Sequence, residues 1–259
     1  MNLLLAFVIP PTDERTTSLL WAGLIILAFA VALVAVSWWF WRQQHLRAEA
    51  YRAFAAESGR DFLPEGDDVT TEPFGRLPLF YKAHRNKLQP AVVRRDGTHN
   101  MIMGDYGFIG VNRFLVFFIH SVRWHQTVAI ARCRRRQLPL MVVAPAHRSV
   151  LEPYGQQGLS RVRFRDRPEA APFHEKTVLL CREPDQVREL LEGDRLADFI
   201  ETIVEPLRAS RLVLEVQGSW VLIYESSGLA RAEEFPWLWE FAEKTADYFQ
   251  PAPAPSDVS

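Results

Sequence analysis

The sequence predicts an α+β protein: one N-terminal transmembrane helix continues into a juxtamembrane helix, followed by a mostly antiparallel sheet domain with C-terminal helices. Three patterns lead to this prediction. A long apolar run lies near the N-terminus, short β-branched and aromatic runs between turn residues fill the middle, and amphipathic helical periodicity dominates the end. The chain has 259 residues, so the part after the apolar run is long enough to bury one sizeable core.

The first element is the apolar run from Leu19 to Trp41, which only Gly23 and Ser37 interrupt. It is longer than the ~20 residues that a helix needs to cross a bilayer core of ~30 Å. It also lacks the polar face of an amphipathic helix at the surface of a soluble protein. We therefore predict a membrane span, held at the interfaces by aromatic and basic side chains. The predicted interface anchors are Trp21, Trp38, Trp39, Trp41 and Arg42.

A cleaved signal peptide is the alternative interpretation of this run. The run is long for a signal peptide, and Asp13 and Glu14 stand where a signal peptide carries a basic region. The flanking charges also predict an orientation, because Arg15 precedes the run whereas several arginines follow it, namely Arg42, Arg47, Arg52 and Arg60. The positive-inside rule then predicts a single-pass protein of the cell inner (plasma) membrane with its C-terminal domain in the cytoplasm.

The helix is predicted to continue beyond the membrane. Leu46, Ala50 and Phe54 recur every four residues among polar neighbours, and Gly59 is a typical stop. The predicted organisation is an extracytoplasmic N-terminus over residues 1–18, a transmembrane helix over 19–41, a juxtamembrane helix over 42–59, a soluble α+β domain over 60–250 and a disordered Pro-rich tail over 251–259.

The next part of the chain predicts strands. Glu65 to Asp68 form an acidic segment with no apolar residue, which predicts a loop. Between residues 88 and 143, β-branched and aromatic runs alternate with turn residues. The predicted strands there are Gln89–Arg95, Asn100–Ile109, Phe114–Ile119, Gln126–Cys133 and Leu138–Val143.

The C-terminal part combines strands and amphipathic helices. Gly218-Ser219 is a typical tight turn between two of the strands. Pro236 fits the last helix only if it lies in the first turn. The predicted elements are a strand at Thr177–Cys181, helices at Asp185–Leu191 and Asp194–Leu207, a hairpin of Arg211–Val216 with Trp220–Tyr224, and a helix from about Glu233 to Phe249.

No residue pattern in the chain is typical of catalysis, metal binding or nucleotide binding. His120 and His125 are five residues apart, which places them on one face of neither a strand nor a helix. Gly104, Gly107 and Gly110 form a GxxGxxG run, but the residues that follow predict a strand and not the helix N-terminus that a phosphate site needs. We therefore predict no catalytic residue, no metal, no cofactor and no nucleic-acid ligand.

Two arginine-rich stretches stand out from this background. The first is a short cationic loop, and the second alternates arginine with other residues, so an extended chain would place its four guanidinium groups on one face. A charged sheet edge that prevents aggregation is one interpretation; an anionic-surface binding site, for example for lipid headgroups, is the other. The residues are Arg132, Arg134, Arg135 and Arg136 in the first stretch and Arg161, Arg163, Arg165 and Arg167 in the second.

Several short motifs carry a resemblance to a known group of proteins. They are Phe74–Phe80 after the first helix, Gly104-Asp105-Tyr106 and Gln126-Thr127-Val128 in strands, and the closing block Leu212–Tyr224 with its helix. In this layout the chain resembles uncharacterised bacterial single-pass membrane proteins of unknown function, with an N-terminal transmembrane helix and a small α+β domain. The resemblance covers most of residues 45–249 and implies a fold and a location, but no activity.

The sequence thus favours a membrane-anchored cytoplasmic domain that binds a protein partner or the membrane surface. Its expected partners are the lipid bilayer and a protein at the membrane. The alternative is an enzyme with an unrecognised active site in the α+β domain. The enzyme interpretation predicts an open pocket that holds several ionisable groups with shifted pKa values, whereas the binding interpretation predicts an exposed apolar or arginine-lined patch.

Overall fold

The computed structural model describes residues 14–68, 77–80, 87–95, 100–111, 121–133, 137–155, 157–164, 167–171, 173, 176–226 and 228–250. The chain divides into two compact units, residues 1–47 and residues 48–259. The predicted strand Phe114–Ile119 and the predicted tail 251–259 lie outside the described residues, so both stay predictions.

One long helix, α1, runs without a break from Glu14 to Ser58. Its residues up to Arg47 belong to the first unit, and residues 48–58 belong to the second. Gly59 follows with a φ of +64°, the left-handed conformation that ends many helices and that glycine adopts without steric cost. The predicted end of the helix at Gly59 is therefore confirmed.

The second unit is built on one antiparallel sheet, to which the described residues contribute ten strands. Their order across the sheet is β1-β3-β4-β5-β10-β9-β6-β8-β7, and β2 pairs with the first residues of β3. The strands are β1 (Asp61–Leu63), β2 (Asp67–Asp68), β3 (Lys87–Arg95), β4 (Asn100–Val111), β5 (Ser121–Arg132), β6 (Leu138–Pro145), β7 (Ser160–Arg161), β8 (Thr177–Cys181), β9 (Leu212–Gly218) and β10 (Trp220–Glu225).

Helices follow or interrupt the strands. Their bounds are α2 (Arg148–Gly155), a 3-10 turn (Pro168–Ala170), α3 (Pro184–Leu190), α4 (Arg195–Phe199), a π-helical segment (Ile200–Val204), α5 (Glu205–Ser210), a 3-10 turn (Ala232–Glu234) and α6 (Phe235–Tyr248). The predicted helix Asp194–Leu207 thus contains a π-helical turn that periodicity did not reveal. Pro236 lies in the first turn of α6, as predicted.

The sheet separates two hydrophobic cores. On one face, the end of α1, the helices α3 to α6 and residues such as Met103, Leu214 and Ile223 form the larger core. On the other face, Leu77, Phe80 and side chains of α2 cover the smaller core. The alternation of side chains along each strand produces this division, since neighbouring residues point to opposite faces. The α+β fold class is confirmed.

The acidic segment at residues 65–68 differs from its prediction. Asp67 and Asp68 form β2 and pair with Leu88 and Lys87 of β3, whereas the sequence predicted a loop. The pairing uses only backbone groups, so the absence of apolar side chains does not prevent it. Gly66 has a φ of +77°, and a Cβ there would lie 1.7 Å from the carbonyl oxygen of Leu88, so this close approach requires glycine.

Candidate functional site

The first unit presents an apolar helix surface. Every large apolar side chain of α1 between Trp21 and Trp41 is at least half exposed, from 51% at Val36 to 69% at Ile26. Exposing such side chains to water is unfavourable by about 25 cal/mol per Å². Within the described part of the chain, α1 is the one helix whose length and composition would let it cross a membrane.

The predicted interface anchors lie at the two ends of this apolar surface. Trp21 is exposed near its beginning, and Trp38, Trp39 and Trp41 are exposed near its end. The guanidinium group of Arg42 lies 5.4 Å from the ring centre of Trp38, a cation–π geometry. The positions suit headgroup contacts, and the anchoring role itself stays a prediction.

The last residues of α1 belong to the core of the second unit. Tyr51 is fully buried, and Phe54 and Ala55 are nearly so. The ring of Tyr51 stacks on Phe235 at 4.3 Å between centroids, and Phe54 makes an edge contact with Trp239 at 5.9 Å. The same helix that carries the exposed apolar surface therefore ends as a core element of the sheet domain.

A buried carboxylate bonds this end of α1 to the sheet. The hydroxyl of Tyr51 donates to Oδ1 of Asp105 at 2.7 Å, and the hydroxyl of Thr127 donates to the same oxygen at 3.0 Å. The backbone N–H of Ala230 donates to the Thr127 hydroxyl oxygen at 2.9 Å. We call Tyr51, Asp105 and Thr127 the Asp105 node. It joins α1, β4, β5 and the segment before α6.

A second buried carboxylate lies on the opposite face of the sheet. Glu215 of β9 is fully buried. Its Oε1 accepts a hydrogen bond from the hydroxyl of Tyr154 at 2.7 Å and from that of Tyr224 at 3.4 Å. Its Oε2 accepts one from the backbone N–H of Leu79 at 3.0 Å. We call Glu215, Tyr154 and Tyr224 the Glu215 centre.

Burial governs the electrostatics of the Glu215 centre. Loss of hydration raises the pKa of Glu215 to about 7, although the hydrogen bonds from Tyr154, Leu79 and Tyr224 oppose the rise. Burial and then the nearby Glu215 carboxylate raise the pKa of Tyr154 and of Tyr224 well above the ordinary range of tyrosine. The hydroxyls of these two tyrosines also contact each other directly. The centre therefore changes charge near neutral pH through its carboxyl group alone.

The second unit also has open cavities, which are formed by residues other than those of the Glu215 centre. A groove of about 500 Å³ lies where β6 begins, where β9 turns into β10 and where the chain leaves β8. We call it the end groove; its walls include Gln137, Leu138, Leu140, Arg182, Gln217 and Trp220. A smaller hollow of about 140 Å³ is also lined by Trp220, together with Arg94, Arg95, Asn100 and others. Neither cavity is lined by a member of the Glu215 centre.

The structure does not bring the two arginine stretches together. Arg132 ends β5 and Arg161 lies in β7, with four strands between them, a separation of about 24 Å at 4.8 Å per strand. Arg134, Arg135, Arg136 and Arg165 lie outside the described residues. In the second stretch Arg161 and Arg163 are exposed while Val162 and Phe164 are buried, as the alternation predicted, but regular strand covers only Ser160–Arg161.

Three arginines of these stretches have specific contacts. The guanidinium group of Arg161 donates to the carbonyl oxygen of Phe173 at 2.7 Å, and that of Arg167 donates to the carbonyl oxygen of Gly193 at 2.5 Å. The guanidinium group of Arg132 lies 5.8 Å from the ring centre of Trp220. Arg161 and Arg167 thus contribute to local structure, whereas Arg132 lies beside the end groove.

Sequence reasoning missed the Asp105 node, the Glu215 centre and the end groove. A signal for the two carboxylates was present, because Asp105 and Glu215 each interrupt a run of strand residues, and a charged residue inside a buried strand needs hydrogen-bond partners. The partners Tyr51, Tyr154 and Leu79 come from distant segments, so no local pattern identifies them. In the described residues no group of three or more His, Cys, Asp or Glu side chains is arranged to hold a metal ion.

Comparison with known proteins gives one structural likeness. No protein-family model matches the sequence, and no curated protein matches it. Among solved structures, the chain is similar to the crystal structure of the mycobacterial trehalose monomycolate transport factor A, TtfA, with a TM-score of 0.51 and 10% sequence identity. The likeness covers 80% of this chain and 98% of that chain. At 10% identity the likeness shows a similar fold and does not show a shared activity.

Proposed function

We propose that the protein is a membrane-anchored, non-enzymatic module whose second unit binds a protein partner on the cytoplasmic side of the membrane. The observation that carries the proposal is the difference in exposure between two parts of α1. Its residues 21–41 expose apolar side chains all round, while Tyr51, Phe54 and Ala55 near its end are buried in the sheet domain. A helix of this kind suits the role of a membrane anchor for a folded domain.

The positions of the ionisable groups support a binding role over an enzymatic one. An active site needs ionisable groups with shifted pKa values in a pocket that substrate can enter. In this chain the groups of the Glu215 centre with shifted pKa values are buried, and the open end groove is lined by other residues. The two requirements for catalysis are therefore met in different places.

The structural likeness agrees with an accessory role. TtfA is named a transport factor, and an accessory role in transport at a membrane suits a chain with a similar fold and a membrane-capable helix. The cytoplasmic orientation rests on the arginines after Trp41.

Crosslinking in native membranes tests the proposal. We expect the full chain to form discrete crosslinked species that contain a second protein. The matched control is Leu27→Arg with Val31→Arg, which places two charges in the apolar surface and should prevent insertion. Loss of these species in the control would support the proposal, and identical species in both chains, or none in either, would contradict it.

A reporter fused after Ser259 tests the orientation separately. The proposal predicts activity for a reporter that works only in the cytoplasm. Activity of a reporter that works only in the periplasm would show that the second unit lies outside the cytoplasm.

A further inference from the structure

We propose that Glu215 acts as a pH-sensitive switch. Its neutral carboxyl group keeps α2 and residues 77–80 closed over one face of the sheet, and its ionised form favours an open state in which the end groove is wider. We call α2, the residues up to Gln157 that follow it, and residues 77–80 the cover. The switch uses residues of the second unit alone, so it does not depend on the proposed function.

The carboxyl group of Glu215 bonds both parts of the cover to β9. Its Oε1 accepts a hydrogen bond from the Tyr154 hydroxyl of α2 at 2.7 Å, and its Oε2 accepts one from the backbone N–H of Leu79 at 3.0 Å. The two parts of the cover also contact each other, because Nε2 of Gln157 donates to the carbonyl oxygen of Pro78 at 3.4 Å. A change at this one carboxyl group therefore reaches the whole cover.

No cationic side chain of the described residues compensates a charge on Glu215. Glu215 is fully buried, and Val142 of β6 and Leu222 of β10 lie directly opposite it in the neighbouring strands. Residues 77–80 contain no ionisable side chain. The ionisable groups with which Glu215 interacts are all tyrosines, namely Tyr154 of α2, Tyr224 of β10 and Tyr106 of β4. A buried carboxylate without a cationic partner is unfavourable.

The two charge states of Glu215 have different requirements. A neutral carboxyl group can donate its proton from Oε1 to a tyrosine hydroxyl oxygen, while Oε2 still accepts from Leu79. In the ionised form three hydrogen bonds favour the charge, but loss of hydration outweighs them and raises the pKa of Glu215 to about 7. Water that enters when the cover opens would restore this hydration. Ionisation therefore favours the open state as the pH rises through about 7.

Opening of the cover would change the end groove. Leu77 lines the groove and is buried in the smaller core beneath the cover. Trp220 belongs to the same groove and core, and Leu140 lines the groove and packs against that core. The backbone N–H of Phe80 donates to the carbonyl oxygen of Leu77 at 3.0 Å, so residues 77–80 form one turn. Withdrawal of this turn would uncover the apolar side chains of Leu140 and Trp220.

Hydrogen–deuterium exchange of the full chain in neutral phosphatidylcholine nanodiscs tests the switch. Two amide hydrogens report on residues 77–80, since Leu79 donates to Glu215 and Phe80 donates to Leu77. After correction for the pH dependence of intrinsic exchange, their protection should fall about tenfold between pH 6 and pH 8, because opening returns the carboxyl pKa from about 7 to 4.5. Protection equal to that of the α6 amides at both pH values would contradict the proposal, because residues 77–80 would then open only by global unfolding.

Substitutions assign the change in protection to Glu215. Glu215→Gln keeps an acceptor for Leu79 and cannot ionise, so its protection should be the same at both pH values. Tyr154→Phe removes a donor that favours the charge, so the change should occur at higher pH. The matched control is Glu189→Gln, an exposed carboxylate of α3, which should behave like the unsubstituted chain. A pH-dependent change that persists in Glu215→Gln, or its absence from the unsubstituted chain, would overturn the proposal.

Thiol labelling tests the opening of the groove. Leu140→Cys places a thiol in the groove wall, and the unsubstituted chain measures the background from its own buried thiols, Cys133 and Cys181. At pH 8 a maleimide should label Leu140→Cys about tenfold faster when Glu215 is present than in the Glu215→Gln background. Both reactions take place at one pH, so the reactivity of the thiol itself cancels. Equal rates in the two backgrounds would overturn the proposed opening of the groove, whether or not a membrane partner crosslinks to the second unit.

Discussion

The two faces of the sheet each bury a carboxylate, and they hold it differently. On the face that receives α1, Asp105 accepts hydrogen bonds from the hydroxyl groups of Tyr51 and Thr127. On the other face, Glu215 is fully buried beneath α2 and the segment 77–80, and its pKa is raised to about 7 by loss of hydration. The difference indicates two kinds of stabilisation. The α1 face depends chiefly on packing, and the α2 face depends on the charge state of one carboxyl group.

The largest expected effect tests the packing on the α1 face. Trp239→Ala removes a fully buried ring that contacts Phe54 and lies under Arg60 at 4.2 Å, and it should lower the free energy of unfolding by about 3–5 kcal/mol. Trp237→Ala is the matched control on the same helix. Trp237 is 40% exposed, so its removal should cost about 1 kcal/mol or less.

Denaturant unfolding followed by circular dichroism measures both variants. Similar losses for Trp239→Ala and Trp237→Ala would contradict the claim that packing against the end of α1 dominates this face.

The second effect concerns pH and the α2 face. The pKa of Glu215 is raised in the folded state from 4.5 to about 7, so the folded state binds a proton more tightly than the unfolded state does. The contribution of Glu215 to stability is therefore fully present below pH ~4.5, falls as the pH rises towards 7, and is lost above about pH 7. Between pH 5 and pH 8 this one group should remove about 2–3 kcal/mol.

Glu215→Gln should abolish this part of the pH dependence, because the amide cannot ionise. The measurement is the free energy of unfolding of both proteins across the pH range. An unchanged profile in Glu215→Gln would show that another group causes the dependence.

The third and smallest effect compares the loss of one tyrosine hydroxyl group on each face of the sheet. Tyr51→Phe and Tyr154→Phe each remove one donor from a buried carboxylate and should cost about 1–2 kcal/mol. The hydrogen bond from Tyr154 lowers the pKa of Glu215, so Tyr154→Phe should also move the pH-dependent step to higher pH. Tyr51→Phe should leave that step in place, and a shift in both variants would mean that the two carboxylates are coupled.

Sequence patterns predicted the elements whose signals are local. The apolar run, the stop at Gly59, the turn at Gly218-Ser219 and the buried stripe of α6 are all confirmed. Each depends on residues within one helix or hairpin. Patterns failed where the determinant is non-local, as for β2, which pairs through backbone groups supplied by β3.

The candidate sites depend even more on residues that lie far apart in the sequence. Asp105 and Tyr51 are 54 residues apart, and Leu79 and Glu215 are 136 apart. The end groove lies beside a register shift between β6 and β9, and the composition of the chain does not reveal such a shift. The alternation of Arg161 and Arg163 with apolar residues was visible in the sequence. Only the order of strands in the sheet shows that four strands separate Arg161 from Arg132.

The most direct test of the proposed membrane anchor is an intact mass of the 259-residue chain after alkaline carbonate extraction of membranes. We predict a chain of 29.8 kDa that stays in the membrane pellet and moves to the supernatant in the variant with Leu27→Arg and Val31→Arg. A shortened chain that has lost the apolar part of α1, or a full-length chain extracted by carbonate, would contradict the account.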